Sequence, residues 1–363
     1  MMQVQNPFFE NIHTPHGTVP FDRIAVEHYA PAIRRGIECQ NEEIDAIVSN
    51  PEPANFYNTI LALEKSGQLL HRVEVVFDNL LSAETNDAMQ ELAKELMPLL
   101  SEHANNITLN ERLFERVKTA YEHRNDEPLT AEQRKLTEDT YEGFVRSGAN
   151  LQGADKEKYR ELSRQLSLLT LQFSENNLKE TNDYQLVLTD ESQLKGLPQS
   201  AIDAAAETAR EKQQEGWVFT LHAPSYVPFL TYSSNRALKE KLWRAYNSRA
   251  LGGENDNTPV VKQIANLRLK IANLLGYKCY ADYVLERRMA ENTPTVMAFL
   301  DELLSQTKAY ADRDYETVGD YAASLGFKGQ LMPWDWGYYN EKYKHEKYAL
   351  NDELVKPYFK LEN

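Results

Sequence analysis

The chain is short of cysteine. Only Cys39 and Cys279 occur in 363 residues, far apart and without a Cys-x-x-Cys pair, which excludes a disulfide framework and a thiolate metal site on count. Glycine and proline stand at 15 each, few for an all-β or low-complexity chain. No run of about 18 apolar residues occurs, so no helical span and no membrane partner are expected. The amino terminus, Met-Met-Gln-Val-Gln-Asn-Pro-Phe-Phe, has no basic segment followed by an apolar run. It does not read as a secretory signal, and a cytoplasmic protein is the default expectation, a processed secreted form being the alternative. Basic charge is also scarce: 40 Lys and Arg face 55 Asp and Glu, a formal charge of −15. Lys342, Lys344 and Lys347 are interleaved with acids, no basic patch forms, and nucleic acid is not an expected partner.

What the chain has is a globular balance, 42% hydrophobic against 26% charged, with enough apolar residues for a packed core. Its Leu, Ala, Glu and Lys favour helix. Turn chemistry over residues 6–24 predicts an ordered surface arm anchored by Phe8, Phe9 and Phe21. A helix is predicted from about Val26 to Ile47, ending before Asn50-Pro51-Glu52-Pro53. Phe56, Leu63, Leu70 and Phe77 recur every seven residues, with Ile60, Val73 and Leu81 beside them, and predict one long helix with a buried face. Further helices are expected at Asn86–Asn106, Glu111–His123, from a Thr130-Ala-Glu-Gln133 capping box to Val145, and at Asp155–Thr181, the last with Leu162, Leu166, Leu169 and Phe173 on one side. The period then changes. Tyr184–Leu188 and Trp217–His222 predict strands, with Phe229–Ser233 as a third and Pro224 and Pro228 holding the connection in a loop or edge. A helix at Gln199–Gln213 separates the first two strands. Helices resume at Arg236–Asn247, Pro259–Leu275, Tyr280–Met289 and Pro294–Leu325. The fold class is mainly α with a small antiparallel β insertion at about 184–233.

The search for chemistry returns absences. The H-E-x-x-H signature sets two imidazoles one helical turn apart, and of the eight histidines only His345 precedes a Glu, with Ala349 where the second His would stand. Glu341 and His345 are four apart and can share a helix face, yet need a third ligand; a solvated face accounts for them. His13 and His16 flank Thr14-Pro15 in a loop. No G-x-S-x-G, phosphate loop or G-x-G-x-x-G turn occurs. Among 55 acids no acid/base pair stands out. The expected catalytic, cofactor-binding and metal-binding residues are therefore none. The unusual composition is at the end, where Trp334, Trp336, Tyr338, Tyr339, Tyr343, Tyr348, Tyr358 and Phe359 crowd together; they make either a helix packed on the core or an interface.

Several segments carry a resemblance. Asn6-Pro-Phe-Phe9, Thr14-Pro-His-Gly-Thr-Val-Pro-Phe-Asp-Arg-Ile24, Phe144-Val-Arg-Ser-Gly-Ala-Asn-Leu151, Gly216-Trp-Val-Phe-Thr-Leu221 with Pro224-Ser-Tyr226 and Ser234-Asn-Arg236, Leu275-Gly-Tyr-Lys-Cys-Tyr-Ala-Asp-Tyr283, and Trp334-Asp335, Tyr338-Tyr339 and Lys356-Pro-Tyr-Phe359 stand in order along the chain. Together they resemble the zinc peptidases that include thimet oligopeptidase, neurolysin, oligopeptidase A and bacterial peptidyl-dipeptidase, the arm favouring the last branch. The resemblance implies a neurolysin-like helical fold, a deep cleft that admits short peptides, and zinc held by an H-E-x-x-H pair and a downstream glutamate. No position here matches those ligands, so no zinc is expected on this chain and no hydrolysis from it alone. On this reading 1–150 is an arm and helical domain, 151–233 a long helix with the hairpin region, and 234–363 the start of a peptidase domain cut before its zinc motif. The missing carboxy-terminal half is expected to pack on 333–363, and without it a tail mobile from about Pro333, or aggregation, is expected. A non-catalytic peptide-binding or scaffolding lobe is the rival reading, and an enzyme using carboxylates alone a third.

Overall fold

The computed structural model describes residues 6–10, 13–126, 128–349 and 355–359. In chain order the helices are α1 Val26–Ser49, α2 Leu61–Glu64, α3 Gln68–Ala83, α4 Asp87–Thr108, α5 Glu111–Glu122, α6 Ala131–Arg146, α7 Ala154–Asp183, α8 Gln199–Glu211, α9 Ala223–Tyr232, α10 Arg236–Asn247, α11 Thr258–Leu274, α12 Tyr280–Leu285, α13 Thr293–Ser324 and α14 Pro333–Tyr348; the strands are β1 Leu186–Leu188 and β2 Trp217–Phe219. The fold is mainly α, as expected. Two compact units form: residues 1–172 with 262–283, and residues 173–261 with 284–363.

In the first unit, α1 lays Tyr29, Ala32 and Ile33 against Leu70, Val73 and Phe77 of α3 and Met89, Ala93 and Leu96 of α4, with Phe8 of the arm inserted. A second core gathers Ile44, Phe56, Ile60, Leu113, Val117 and Phe144. Each of these large side chains contributes roughly 2–3 kcal/mol by leaving water. Starts are set by caps. Asn86 and Asn110 accept from the third backbone N–H of α4 and α5, and Thr130 and Gln133 bond reciprocally at 3.2 and 3.0 Å as the predicted capping box.

Two expectations change in this unit, and a third just beyond Tyr283. The single helix from Phe56 is not continuous: Phe56–Ile60 is a π turn, α2 is one short turn, and the chain breaks before α3. Gly67 stands there at φ 71°, where a Cβ would run into the Gln40 side chain. The seven-residue stripe is therefore shared between two cores, Phe56 and Ile60 in one and Leu70, Val73 and Phe77 in the other. Of the three predicted anchors in the arm Phe8 alone is buried; Phe9 and Phe21 are exposed, because one aromatic fills the gap beside Tyr29 and Phe77. The last helix before α13 stops at Leu285, and Met289 is fully exposed.

In the second unit β1 and β2 pair antiparallel with Leu186 opposite Phe219, Val187 opposite Val218 and Leu188 opposite Trp217. Leu186, Leu188, Phe219, Leu221, Phe229 and Leu242 form the core beneath. The expected third strand is wrong: 229–232 is the end of α9. The loop or edge expected around Pro224 and Pro228 is helix as well: Pro224 sits in the first turn, where its missing N–H costs nothing, and the His222 carbonyl accepts from Ser225 and Tyr226. Pro228 lies inside the same helix. Residues 333–348, the start of the segment expected to be mobile, form α14 with Trp334 and Asp335 buried; residues 350–354 and 360–363 lie outside the described residues.

Gly216 opens β2 at φ 87°, and an added Cβ would collide with the Leu188 carbonyl; Gly252 has φ 89° with open space. Gly252→Ala should cost only the backbone strain, roughly 1–3 kcal/mol, and Gly216→Ala clearly more. Urea melts of both variants check this, and equal losses would contradict the close approach.

Candidate functional site

The second unit brings the aromatic segment onto α10. Asp335, the third residue of α14, is 1% exposed at its side chain, while Arg236 at the start of α10 is 46% exposed. The guanidinium meets the carboxylate in a two-pronged bond, Nε to Oδ1 and Nη2 to Oδ2, both 2.9 Å. The Met332 N–H donates to Oδ2 at 3.0 Å. A buried carboxylate needs such partners, because an unpaired one costs several kcal/mol. The same guanidinium lies over the rings of Phe327 and Trp334, and Trp334 packs on Trp243.

Three residues further along α10, Lys239 is buried, with its Nζ 3.9 Å from the centroid of the Tyr338 ring. Burial pushes its pKa down to about 8; Asp335 opposes the shift, and Arg236 and Lys342 add to it. The pocket holds a cation by ring quadrupole and one nearby carboxylate instead of by water.

Beside this cluster is a groove of about 820 Å³, whose walls include Lys195, Tyr232, Tyr321, Lys342, His345 and Glu346. Glu341 and His345 do share a face of α14 there. Their neighbours are already engaged: Glu341 pairs with Lys344 at 3.0 Å, and Glu346 accepts from the Tyr321 hydroxyl at 2.7 Å. That bond, with some burial, pushes Tyr321 up to about 12. Among the described residues no group of three or more His, Cys, Asp or Glu is placed to hold a metal ion. His13 and His16 are exposed, and Cys39 and Cys279 are free thiols. The aromatic run divides: Trp334 is buried, whereas Tyr348, Tyr358 and Phe359 are exposed.

Residues 229–363 match the family model described as Peptidase family M3. The chain is 36% identical to dipeptidyl carboxypeptidase of Escherichia coli over 99% of its own length and 53% of the relative's. It is 32% identical to oligopeptidase A of Salmonella typhimurium, over 98% and 52%, and 33% identical to oligopeptidase A of Haemophilus influenzae, over 99% and 53%. Along nearly its whole length the chain is similar to these peptidases, and its match to peptidase family M3 covers 229–363. It spans about half the length of the curated relatives it matches.

The M3-like segments turn out to be fasteners. Arg146 of Phe144–Leu151 donates to the Tyr283 carbonyl at 2.6 Å and lies over the Tyr283 ring, tying it to Leu275–Tyr283. Ser225 accepts from the Thr220 N–H at 2.9 Å, tying Pro224–Tyr226 to Gly216–Leu221. Arg236 and Asp335 do the same across 99 residues. Sequence reading quoted both members of that last pair without joining them, and it passed over Lys239, which no local pattern separates from a surface lysine.

The Lys239 shift has a worked sign. An unfolded lysine titrates near 10.4 and the folded one at about 8, so between these values the unfolded state binds more protons and stability rises with pH. Relative to Lys239→Met, the wild type should gain roughly 1–3 kcal/mol between about pH 7.5 and pH 10. Denaturant titrations of both proteins at the two pH values measure it; a constant difference would contradict a charge held in this pocket.

Proposed function

We propose that the chain is the amino-terminal part of a zinc-dependent oligopeptidase, most like a peptidyl-dipeptidase that hydrolyses short peptides and releases carboxy-terminal dipeptides. The observation that carries this is continuous similarity along 99% of the chain to a dipeptidyl carboxypeptidase of which it spans 53%. Zinc and its ligands then belong to the portion not spanned. The described residues supply shape and binding surface: a helical scaffold, a fastened hairpin, and the aromatic and cationic seat of α14. The remaining half would pack against 333–363, whose described residues include the exposed Tyr348, Tyr358 and Phe359.

A second reading is supported by the groove beside α14, whose tyrosines and mixed charges suit a peptide backbone and its side chains. The chain would then bind peptides without cleaving them. One assay separates the two. The purified 363-residue chain, supplied with zinc, should give no turnover of an internally quenched peptide of about ten residues, and fluorescence polarisation with the same peptide should detect no tight binding. Chelator-sensitive turnover by the chain alone would overturn the first reading; saturable binding at micromolar peptide without turnover would favour the second.

A further inference from the structure

Residues 297–317 of α13 are exposed throughout. Their pattern is not that of a solvated helix. At 3.6 residues per turn, Val296, Leu300, Leu303, Leu304 and Tyr310 fall on one side, and Leu300 is 49%, Leu303 42%, Leu304 61% and Tyr310 63% exposed. Asp301, Glu302, Lys308, Asp312 and Arg313 fall on the other, with Lys308 and Asp312 paired at 2.8 Å. The apolar side runs for about 20 Å along the helix. Farther along, Val318 and Ala322 lie on the same side, about five turns beyond Leu300 and Leu304, and these two are buried. This side is apolar and bare from Val296 to Tyr310, is interrupted by Asp314, and is apolar and covered at Val318 and Ala322.

We propose that the bare part of this side is a docking face for the portion of an M3 polypeptide that this chain does not span. The inference rests on the reading of the chain as one part of an M3 peptidase, and it assigns the main contact to α13 in addition to the 333–363 segment. The relatives supply the occupant, being about twice the length of this chain. A second copy is disfavoured: each chain carries a formal charge of −15, and like-charged partners repel. The polar side of α13 is already suited to water, so the cover needs to reach one side only.

The test is a chimera in which this chain replaces the matching part of Escherichia coli dipeptidyl carboxypeptidase. Leu303→Cys and Asp312→Cys are made singly in the chain and in the chimera, and maleimide labelling at each site is followed by peptide mapping, which separates it from Cys39 and Cys279. In the chain alone both sites should label at similar rates. In the chimera, labelling at 303 should slow at least tenfold while 312 stays fast. Equal rates in a chimera that hydrolyses peptide would overturn the docking face and leave the peptidase reading standing. Protection at 303 in a cooperatively melting chimera without activity would keep the docking face and sink the peptidase reading. A chimera that fails to melt cooperatively would overturn the proposal, since it requires the two parts to pack. Slow labelling at 303 in the chain alone, with sedimentation as a dimer, would assign the face to a second copy and overturn it too.

Discussion

A carboxylate sealed from water has to be answered by a cation, and in the second unit Asp335 is answered by Arg236. The two are 99 residues apart. Pairing them closes a long loop, a cost that grows only slowly with its length, and it sets α14 on α10. The neighbouring contacts follow from that placement. The Trp334 ring comes to Trp243, Tyr338 comes over Lys239, and Trp336 and Tyr339 reach the small core of Val318, Ala322 and Leu331. Because Arg236 is half exposed, much of its charge remains hydrated. The specificity of the pair therefore rests on the buried acceptor and its fixed geometry more than on the strength of the attraction.

Helices were legible because their signals are local. Thr130 and Gln133 state their capping box within four residues, and the structure forms it. Periodicity was legible too, but it reports which side is apolar and says nothing of continuity. The stripe from Phe56 to Phe77 is real, and Gly67, visible in the sequence, breaks it between two cores. The expectation of a third strand failed at Phe229, where a proline in the first turn and a fully buried ring made a helix. At Phe8 and Phe9 the residue types are identical, and only the single gap next to Tyr29 decides which one is inside.

The family was easier to read than any site, for a physical reason. The segments that carry the resemblance make contacts within each unit separately: Arg146 with Tyr283 in the first, Ser225 with Thr220 and Arg236 with Asp335 in the second. Each is constrained by a partner far away or by a tight turn, so each residue type is specified by geometry. None of these contacts leaves a nucleophile, a base or a metal ligand free for reaction. Glu341 and His345 show the converse. Their spacing on one helix face was correctly read, and they line a groove, but Lys344 occupies Glu341 and among the described residues no third donor joins them. Spacing places side chains on one side of a helix; it does not place other helices opposite them.

That limit is sharpest in α13. Its apolar positions follow one period from Val296 to Ala322, interrupted by Asp314, and the sequence rightly predicted one helix there. By the usual rule such a stripe faces a core. Here Val318 and Ala322 obey the rule, and Leu300, Leu303 and Leu304 do not. The difference is not in residue type, in helix propensity or in phase, since all lie on the same side of the same helix. It lies in what is opposite. Hydrophobic patterning specifies that a surface is to be removed from water, while the identity of the cover is a property of whatever else is present. The place where pattern and burial part company along a single helix therefore marks a boundary of the fold that neither the pattern nor the packing could mark separately.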